Sequence, residues 1–332
     1  MRLGLQIPNF TVGVPDNQLF EEVSGLAVAA EGAGFDSVWV MDHFYQLPAL
    51  GGPSQPMLES YTLLGGLAAR TSRVRLGTLV TGVTYRNPAL LAKIVTTLDV
   101  ISRGRAMLGI GAAWYDVEHE GLGVDFPPVG ERMGRLEEAV QICRAMFRDE
   151  LPSFEGRYYR IHEARNLPRP VQPGGPPILI GGGGEKRTLR LVARYADFCN
   201  FFGDATTIRH KVGVLHEHCE AVGRDPASIT VSRLSTLVIT ESAEETAATR
   251  EFLRAAAGED ASAFNVGTED EIVAQVEELT AAGVDYFIFN MPTSDADAVR
   301  RAGGLLAPVC PGRGNARPRV IRRGRLLRTG RI

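Results

Sequence analysis

The feature that most constrains this chain is an alternation. Short apolar runs recur at 3–7, 37–41, 74–80, 105–110, 177–181, 197–201, 230–239 and 285–290, and longer amphipathic stretches fill the gaps. Near-continuous apolar runs of this length are the pattern of parallel strands covered on both faces. Eight strands, each followed by a helix, close most naturally into a (β/α)8 TIM barrel, an α/β single domain with insertions at its C-terminal mouth. An open doubly wound sheet is the competing arrangement. Its dinucleotide-binding form needs a GxGxxG turn after the first strand, and here residues 7–10 read Ile-Pro-Asn-Phe.

The helices carry their own marks. Over 88–102, Leu90, Leu91, Ile94, Val95, Leu98 and Ile101 make one apolar stripe, with Lys93, Thr97 and Asp99 expected to face away. Asn87-Pro88 supplies a cap followed by a proline that needs no N–H donor. Over 131–147, Leu136, Ala139, Val140, Cys143 and Phe147 repeat at threes and fours. Ser242-x-x-Glu245 and Thr268-x-x-Glu271 read as capping boxes opening two late helices. Two regions break the rhythm. Residues 150–176, rich in Pro, Gly and Arg, read as an excursion beside the barrel mouth, and 255–267 as a second loop.

Composition removes several function classes. With 44% hydrophobic residues and a net charge of -3, the chain is not of the disordered type. It holds no run of about 20 apolar residues, so no membrane span is expected. Its start leads directly into a strand, so no leader is expected and the expected location is cytoplasmic. The four cysteines (143, 199, 219, 310) form no CxxC pair, and no metal site is expected. Residues 312–332 carry eight Arg and no acid, which leaves the body with 28 basic against 39 acidic residues, a net of -11. An acidic body does not suit a nucleic-acid partner. The domain is expected to span 1–308, and 309–332 to be a disordered, solvated Arg-rich tail.

In such a barrel the chemistry lies at the C-terminal ends of strands. There the sequence places Asn9, Asp42-His43, Thr78-Leu79-Val80, then Gly109-Ile110-Gly111 leading to Trp114 and Tyr115, and the run Gly181-Gly182-Gly183-Gly184 leading to Lys186 and Arg187. Four glycines between a strand and a helix expected to begin near Glu185 offer bare backbone N–H groups and a helix dipole to an anion, so a phosphate site is expected there. His43, whose imidazole can both take and give a proton, is the expected acid or base. Gly109 and Gly111 bring backbone close to something flat or let the strand turn, and Trp114 and Tyr115 can wall an aromatic ligand or plug the core. A phosphate grip beside aromatic walls suggests a phosphate-bearing ring cofactor, although spacing alone also allows a sugar phosphate.

Taken together, Asp42-His43-Phe44 after Ser37-Val38-Trp39-Val40, the block Leu76-Gly77-Thr78-Leu79-Val80-Thr81 running on to Arg86-Asn87-Pro88-Ala89, and Arg103-Gly104-Arg105 before Gly109-Ile110-Gly111 resemble the bacterial luciferase-like monooxygenase superfamily, in its coenzyme F420-dependent oxidoreductase branch. The resemblance runs over about residues 1–308. It implies a ring cofactor across the mouth, coenzyme F420 or alternatively FMN, and a non-prolyl cis peptide at Leu79–Val80. It assigns cofactor contacts to Asp42, Thr78, Leu79, Val80, Gly111, Gly182, Gly183, Gly184 and Arg187, proton handling to His43, and the substrate pocket to Asn9, Trp114 and Tyr115. A homodimer acting on a small molecule is implied as well. Glucose-6-phosphate dehydrogenases of this branch carry a Glu and a Trp where this chain has Trp114 and Leu47, which points away from the sugar and toward a hydrophobic or aromatic substrate. The competing activities are a reduced-FMN monooxygenase using O2 and a non-enzymatic flavin carrier.

Overall fold

The computed structural model describes residues 1–257, 263–292 and 295–310. The barrel strands are β1 (Arg2–Ile7), β2 (Ser37–Val40), β3 (Arg75–Thr78), β4 (Ala106–Gly111), β5 (Ile178–Gly181), β6 (Phe198–Phe201), β7 (Thr230–Ile239) and β8 (Tyr286–Asn290). Each is parallel to its neighbours, and the ring closes where β8 pairs β1 with Leu3 opposite Phe287. The helices are α1 (Leu19–Gly32), α2 (Ser60–Arg70), α3 (Pro88–Ile101), α4 (Asp116–Leu122), α5 (Val129–Arg148), α6 (Thr188–Tyr195), α7 (Ala205–Ala221), α8 (Ala243–Ala257), α9 (Glu269–Ala281) and α10 (Ala296–Leu306).

Side chains alternate across the strands and so feed two cores. One face packs against the helices. The other fills the barrel with Trp39, Leu79, Met107, Leu179, Phe198, Leu234, Tyr286 and Ile288. Trp39, fully buried, is the central plug, and small residues around it make its room. A Cβ on Gly77 would lie 2.8 Å from its ring, and one on Gly4 3.1 Å from its indole nitrogen. That nitrogen donates to Ser37 Oγ at 2.5 Å, which satisfies the polar edge the burial would otherwise strand.

The helix marks hold at most positions. Asn87 Oδ1 accepts from Ala89 N at 2.9 Å, and Thr268 and Glu271 form the reciprocal box at the start of α9. Leu136, Ala139, Val140, Cys143 and Phe147 of α5 are all buried. On α3 the face is rotated from expectation. Asp99 is fully buried, while Leu90 and Ile101 are 64% and 49% exposed. The reason is the excursion after α5: Val171 N, Gln172 N and Gln172 Nε2 all donate to the Asp99 carboxylate, at 2.7, 3.1 and 2.7 Å.

That excursion lies mainly along α5 and α3, and its Tyr159 hydroxyl, donating to the Val83 carbonyl at 3.5 Å, is what touches the mouth end. It makes a hairpin, Phe154–Glu155 with Arg160–Ile161, whose turn is held by Glu138 of α5, and it then runs along α3 to Asp99. The mouth is extended instead by residues 41–59 and 112–128. The expected loop at 255–267 is also corrected. Helix α8 continues to Ala257, and Phe264–Gly267 is a strand pairing Thr236–Ile239 of β7. Residues 230–233 of β7 pair β6 on that same edge, so the extra strand takes over the edge where β6 ends. Of the tail expected at 309–332, residues 311–332 lie outside the described residues, and Cys310 is buried, so the packed domain runs on past 308. Among the described residues no helix is long and apolar enough to cross a membrane.

Candidate active site

The chemistry-bearing residues meet at one mouth of the barrel. Its floor is built first by Val80. The Leu79–Val80 peptide is cis, at the bond the resemblance implied. The Val80 side chain reaches toward β4 and β5, where glycines clear its path. A Cβ on Gly111 would lie 2.9 Å from Val80 Cγ2, and one on Gly181 3.0 Å from both methyls. At Gly109 the obstacle is the Thr78 carbonyl oxygen, 1.9 Å away. Gly109 and Gly111 therefore serve the bulge itself, which answers what the close approach at these positions is for. Across the floor a polar ladder continues: Gln6 Nε2 donates to the Leu79 carbonyl at 3.3 Å, Asn290 Nδ2 to Gln6 Oε1 at 2.9 Å, and Thr236 Oγ1 to Asn290 Oδ1 at 2.7 Å. Thr78 is buried and its hydroxyl donates to the Gly109 carbonyl at 2.9 Å, so it ties β3 to β4.

Asp42 and His43, adjacent in sequence, face different partners. Asp42 is buried, and both carboxylate oxygens are held by Arg86, at 2.6 and 3.1 Å, with Ser60 Oγ at 2.6 Å. Burial works against the Arg86 charge, but Asp42, with Tyr61 and Glu59, outweighs it and raises the guanidinium above its ordinary range. His43 keeps 13% of its side chain exposed, and its Nδ1 lies 2.7 Å from Glu118 Oε1. The fully buried Glu118 carboxylate also accepts from Phe44 N at 2.7 Å, Tyr45 N at 3.2 Å and the Tyr85 hydroxyl. Burial alone would raise the Glu118 carboxyl, but the bonds from His43, Tyr85 and Phe44 outweigh it and hold the group below the ordinary carboxylate range.

Aromatic rings surround this point. Trp114, 61% exposed, stands edge-on to His43 with centroids 5.7 Å apart, and the buried Tyr115 does so at 5.9 Å. Tyr115 thus walls the site from behind and Trp114 from the open side. Tyr85 stacks on His119 at 4.7 Å, and His119 is itself satisfied: Nδ1 donates to the Tyr115 carbonyl and Nε2 accepts from Thr84 Oγ1, both at 2.7 Å. Asn9 spends its side-chain oxygen on Thr11 N, at 2.9 Å.

On the far rim lies the glycine run. Gly182 has φ 113°, a conformation that glycine supplies without strain, and beside Gly183 an added Cβ would meet only Lys211 Cε, at 3.8 Å. The helix after the run begins at Thr188, not near Glu185, because residues 185–187 form a turn and Leu189 N reaches back to the Gly184 carbonyl at 3.0 Å. Glu185 draws Lys211 and His210 beside the run, at 2.5 and 3.0 Å. Arg187 leans instead toward the Gly130 carbonyl, at 3.4 Å. Among the described residues no group of His, Cys, Asp and Glu could hold a metal ion. A groove of about 820 Å³ between α1 and α10, lined by Gly25, Ala29 and Gly303, is outside the barrel and brings no catalytic group with it.

The sequence pointed to His43 but not to Glu118, Tyr85 or Arg86 as its surroundings. Glu118 sits within Asp-Val-Glu-His-Glu, where nothing separates it from solvated neighbours until α4 turns it inward.

A closed parallel barrel with a histidine, a backbone bulge and a glycine-lined rim at one mouth is the architecture of the luciferase-like family. Residues 1–263 match the family described as luciferase-like monooxygenase, and the chain belongs to that family. F420-dependent glucose-6-phosphate dehydrogenases from Kineococcus radiotolerans and Intrasporangium calvum are each 41% identical to it, over 49% and 51% of this chain and 47% and 48% of theirs. The chain thus spans about half the length of these curated relatives. Solved structures share the fold. The monooxygenase RslO1 from Streptomyces bottropensis superposes with a TM-score of 0.76 over 93% of this chain and 98% of its own, at 24% identity. An F420-dependent secondary alcohol dehydrogenase in complex with an F420-acetone adduct gives 0.76 over 93% and 98%, at 21% identity.

Proposed function

We propose that this protein is an oxidoreductase that moves a hydride between coenzyme F420 and a hydrophobic or aromatic organic substrate, with His43 as the acid/base. The observation that carries the reading is continuity around one mouth: His43 packs on Trp114 and Tyr115, these follow Gly111, and Gly111 and Gly181 both abut Val80. Val80, His43 and the glycine run are the residues that would hold a flat ring cofactor and its anionic headgroup.

The residues fit such a group. Val80 gives an apolar platform, and the ladder of Gln6, Asn290 and Thr236 offers donors and acceptors to a polar ring edge. Gly182, Gly183 and Gly184 leave the open backbone an anionic headgroup needs, with Lys211 and His210 adjacent. Asp42 would act through the loop it anchors, since Arg86 and Ser60 occupy its oxygens. When bound, a deazaflavin supplies hydride transfer, because a carbon replaces the flavin nitrogen that supports oxygen chemistry. The chain's part is to orient the substrate, exclude water and hold or take a proton at His43 Nε2.

The F420-dependent homologues support this cofactor. Glucose 6-phosphate does not follow from their names, because Trp114 stands where the resemblance places a proton-donating Glu. A homodimer is part of the same reading, resting on the resemblance and open to light scattering. The test is titration of the purified protein with F420 and with reduced FMN. F420 is expected to bind at micromolar concentration. FMN binding with oxygen uptake instead would replace the reading by a monooxygenase, a possibility that the monooxygenase among the structural neighbours keeps in view. His43→Ala should keep cofactor affinity and lower turnover by roughly 10²–10⁴-fold.

A further inference from the structure

Glu118 has no role in the reading above, yet its carboxylate is the most heavily engaged group at the mouth. Its donors come from two different loops. His43, Phe44 and Tyr45 follow β2, Tyr85 follows β3, and Glu118 itself stands on α4 beyond β4. The carboxylate is fully buried, so no water competes for these bonds. An ionised carboxylate can only accept. Each donor must therefore present hydrogen to it, and that includes Nδ1 of His43.

We propose that Glu118 is the positioning residue of His43, locking the imidazole with Nδ1–H toward the carboxylate and Nε2 toward the barrel mouth, with Tyr85 and the backbone N–H groups of Phe44 and Tyr45 fixing the carboxylate in turn. The assignment rests on the proposed role of His43 as proton acceptor and gives that role its direction. In the neutral ring Nε2 is then the bare nitrogen, able to accept the proton of a substrate hydroxyl. As that O–H bond breaks and the Nε2–H bond forms, the positive charge appearing on the ring is offset by the negative charge 2.7 Å from Nδ1. The other groups facing this pair are the rings of Trp114 and Tyr115 on the His43 side and the Tyr85 phenol on the Glu118 side. Burial and the Glu118 carboxylate both push that phenol up, so Tyr85 stays a donor.

The two carboxylate oxygens share the four donors two and two, so an amide keeps two of the bonds in either orientation, and a purely structural carboxylate would tolerate the one that holds the backbone N–H groups of Phe44 and Tyr45. A positioning one would not, because glutamine must turn either its NH2 toward a donor or its oxygen away from Nδ1. The test uses three variants and two readouts. In ligand-free protein, 15N–1H NMR of the His43 ring reports which nitrogen carries the proton. In wild type the Nδ1–H form is expected alone. In Glu118→Gln a mixture or the Nε2–H form is expected, with turnover down by about 10²–10⁴-fold and F420 affinity within twofold of wild type. Glu118→Asp, which keeps the charge, should recover part of both signals. Tyr85→Phe removes one donor and keeps the fold if Glu118→Gln does not; it should broaden the His43 ring signals and lower turnover severalfold. A His43 that stays in the Nδ1–H form in Glu118→Gln, or ring signals and turnover both unchanged in Tyr85→Phe where only that variant folds, would overturn the proposal. Wild-type protein carrying the proton on Nε2 would do the same. Failure of the F420 reading is distinguishable, since the tautomer is measured with no cofactor or substrate present.

Discussion

Val80 and Gly181 meet across the mouth with no space between them: a Cβ on Gly181 would lie 3.0 Å from each Val80 methyl. The bulge after β3 and the strand leading into the glycine run are thus one packed unit. Overfilling such a contact costs about 1–3 kcal/mol. Gly181→Ala should lower stability by about that amount in chemical unfolding. It should also weaken F420 binding, because Val80 would have to move off its seat. Unchanged stability and affinity together would show that Val80 is not held by the glycines.

Arg86 is the second fixed point of the mouth. It grips Asp42 with two nitrogens, reaches Glu59 at 2.6 Å and lies 4.8 Å from the centroid of the Tyr61 ring. Removing one member of a buried pair strands the other charge, which typically costs about 3–5 kcal/mol. Arg86→Met should therefore destabilise the fold by about that much, and Asp42→Asn by less, since Glu59 still pairs with the Arg86 guanidinium. Arg86→Lys should fall between wild type and Arg86→Met, because an ammonium cannot repeat the bidentate geometry. Urea unfolding orders these variants, and an Arg86→Met protein as stable as wild type would contradict the pairing.

Much of this was legible in the sequence, for stated reasons. The eight strands announce themselves as short, mostly apolar runs set between longer amphipathic ones, and His43 because it follows one of them. The strand Phe264–Gly267 did not, since four residues containing Asn265 carry no period, and each pairs with a residue of β7 28 positions earlier (Thr236 with Phe264, for example). Asp99 read as an outward residue because helix period alone cannot see that a segment 72 residues later brings donors to it. Glu118 was hidden for the same reason: its meaning comes from His43, 75 residues earlier. Local pattern reports what a residue does to its own element. The site is made by residues that act on other elements.

Glu31 provides a pH prediction away from the site. Its carboxylate accepts from the backbone N–H groups of Ser72, Arg73 and Val74 and from Ser72 Oγ, which clamps α1 to the start of β3. Burial would raise its pKa, but those bonds outweigh it and hold it down to about 2. A carboxyl depressed in the folded state stabilises fully above its unfolded pKa, about 4.3, and the contribution fades as pH falls from there toward about 2. Glu31→Gln should therefore lose about 1–2 kcal/mol at pH 7, with the gap to wild type closing between pH 4 and pH 2. A gap that stays constant with pH would assign the effect to packing instead of charge.

In the proposed reading Trp114 sets what the mouth accepts. It is 61% exposed, so its ring contributes little to the core, yet it stands 5.7 Å from the His43 ring, on the open side of the site. An aromatic face there is worth about 0.5–1.5 kcal/mol to an apolar or aromatic ligand. For such a substrate Trp114→Ala should raise KM by about 2–13-fold, the equivalent of that energy, and leave kcat within about twofold. Stability should change by less than about 0.5 kcal/mol, as expected for an exposed position. Trp114→Glu should do the same to apolar substrates while restoring the carboxyl that the resemblance places in the sugar-phosphate enzymes. Steady-state kinetics on a matched pair of apolar and polar alcohols separates the cases. A fall in kcat with KM unchanged would mean that Trp114 acts on the orientation of His43, not on the substrate.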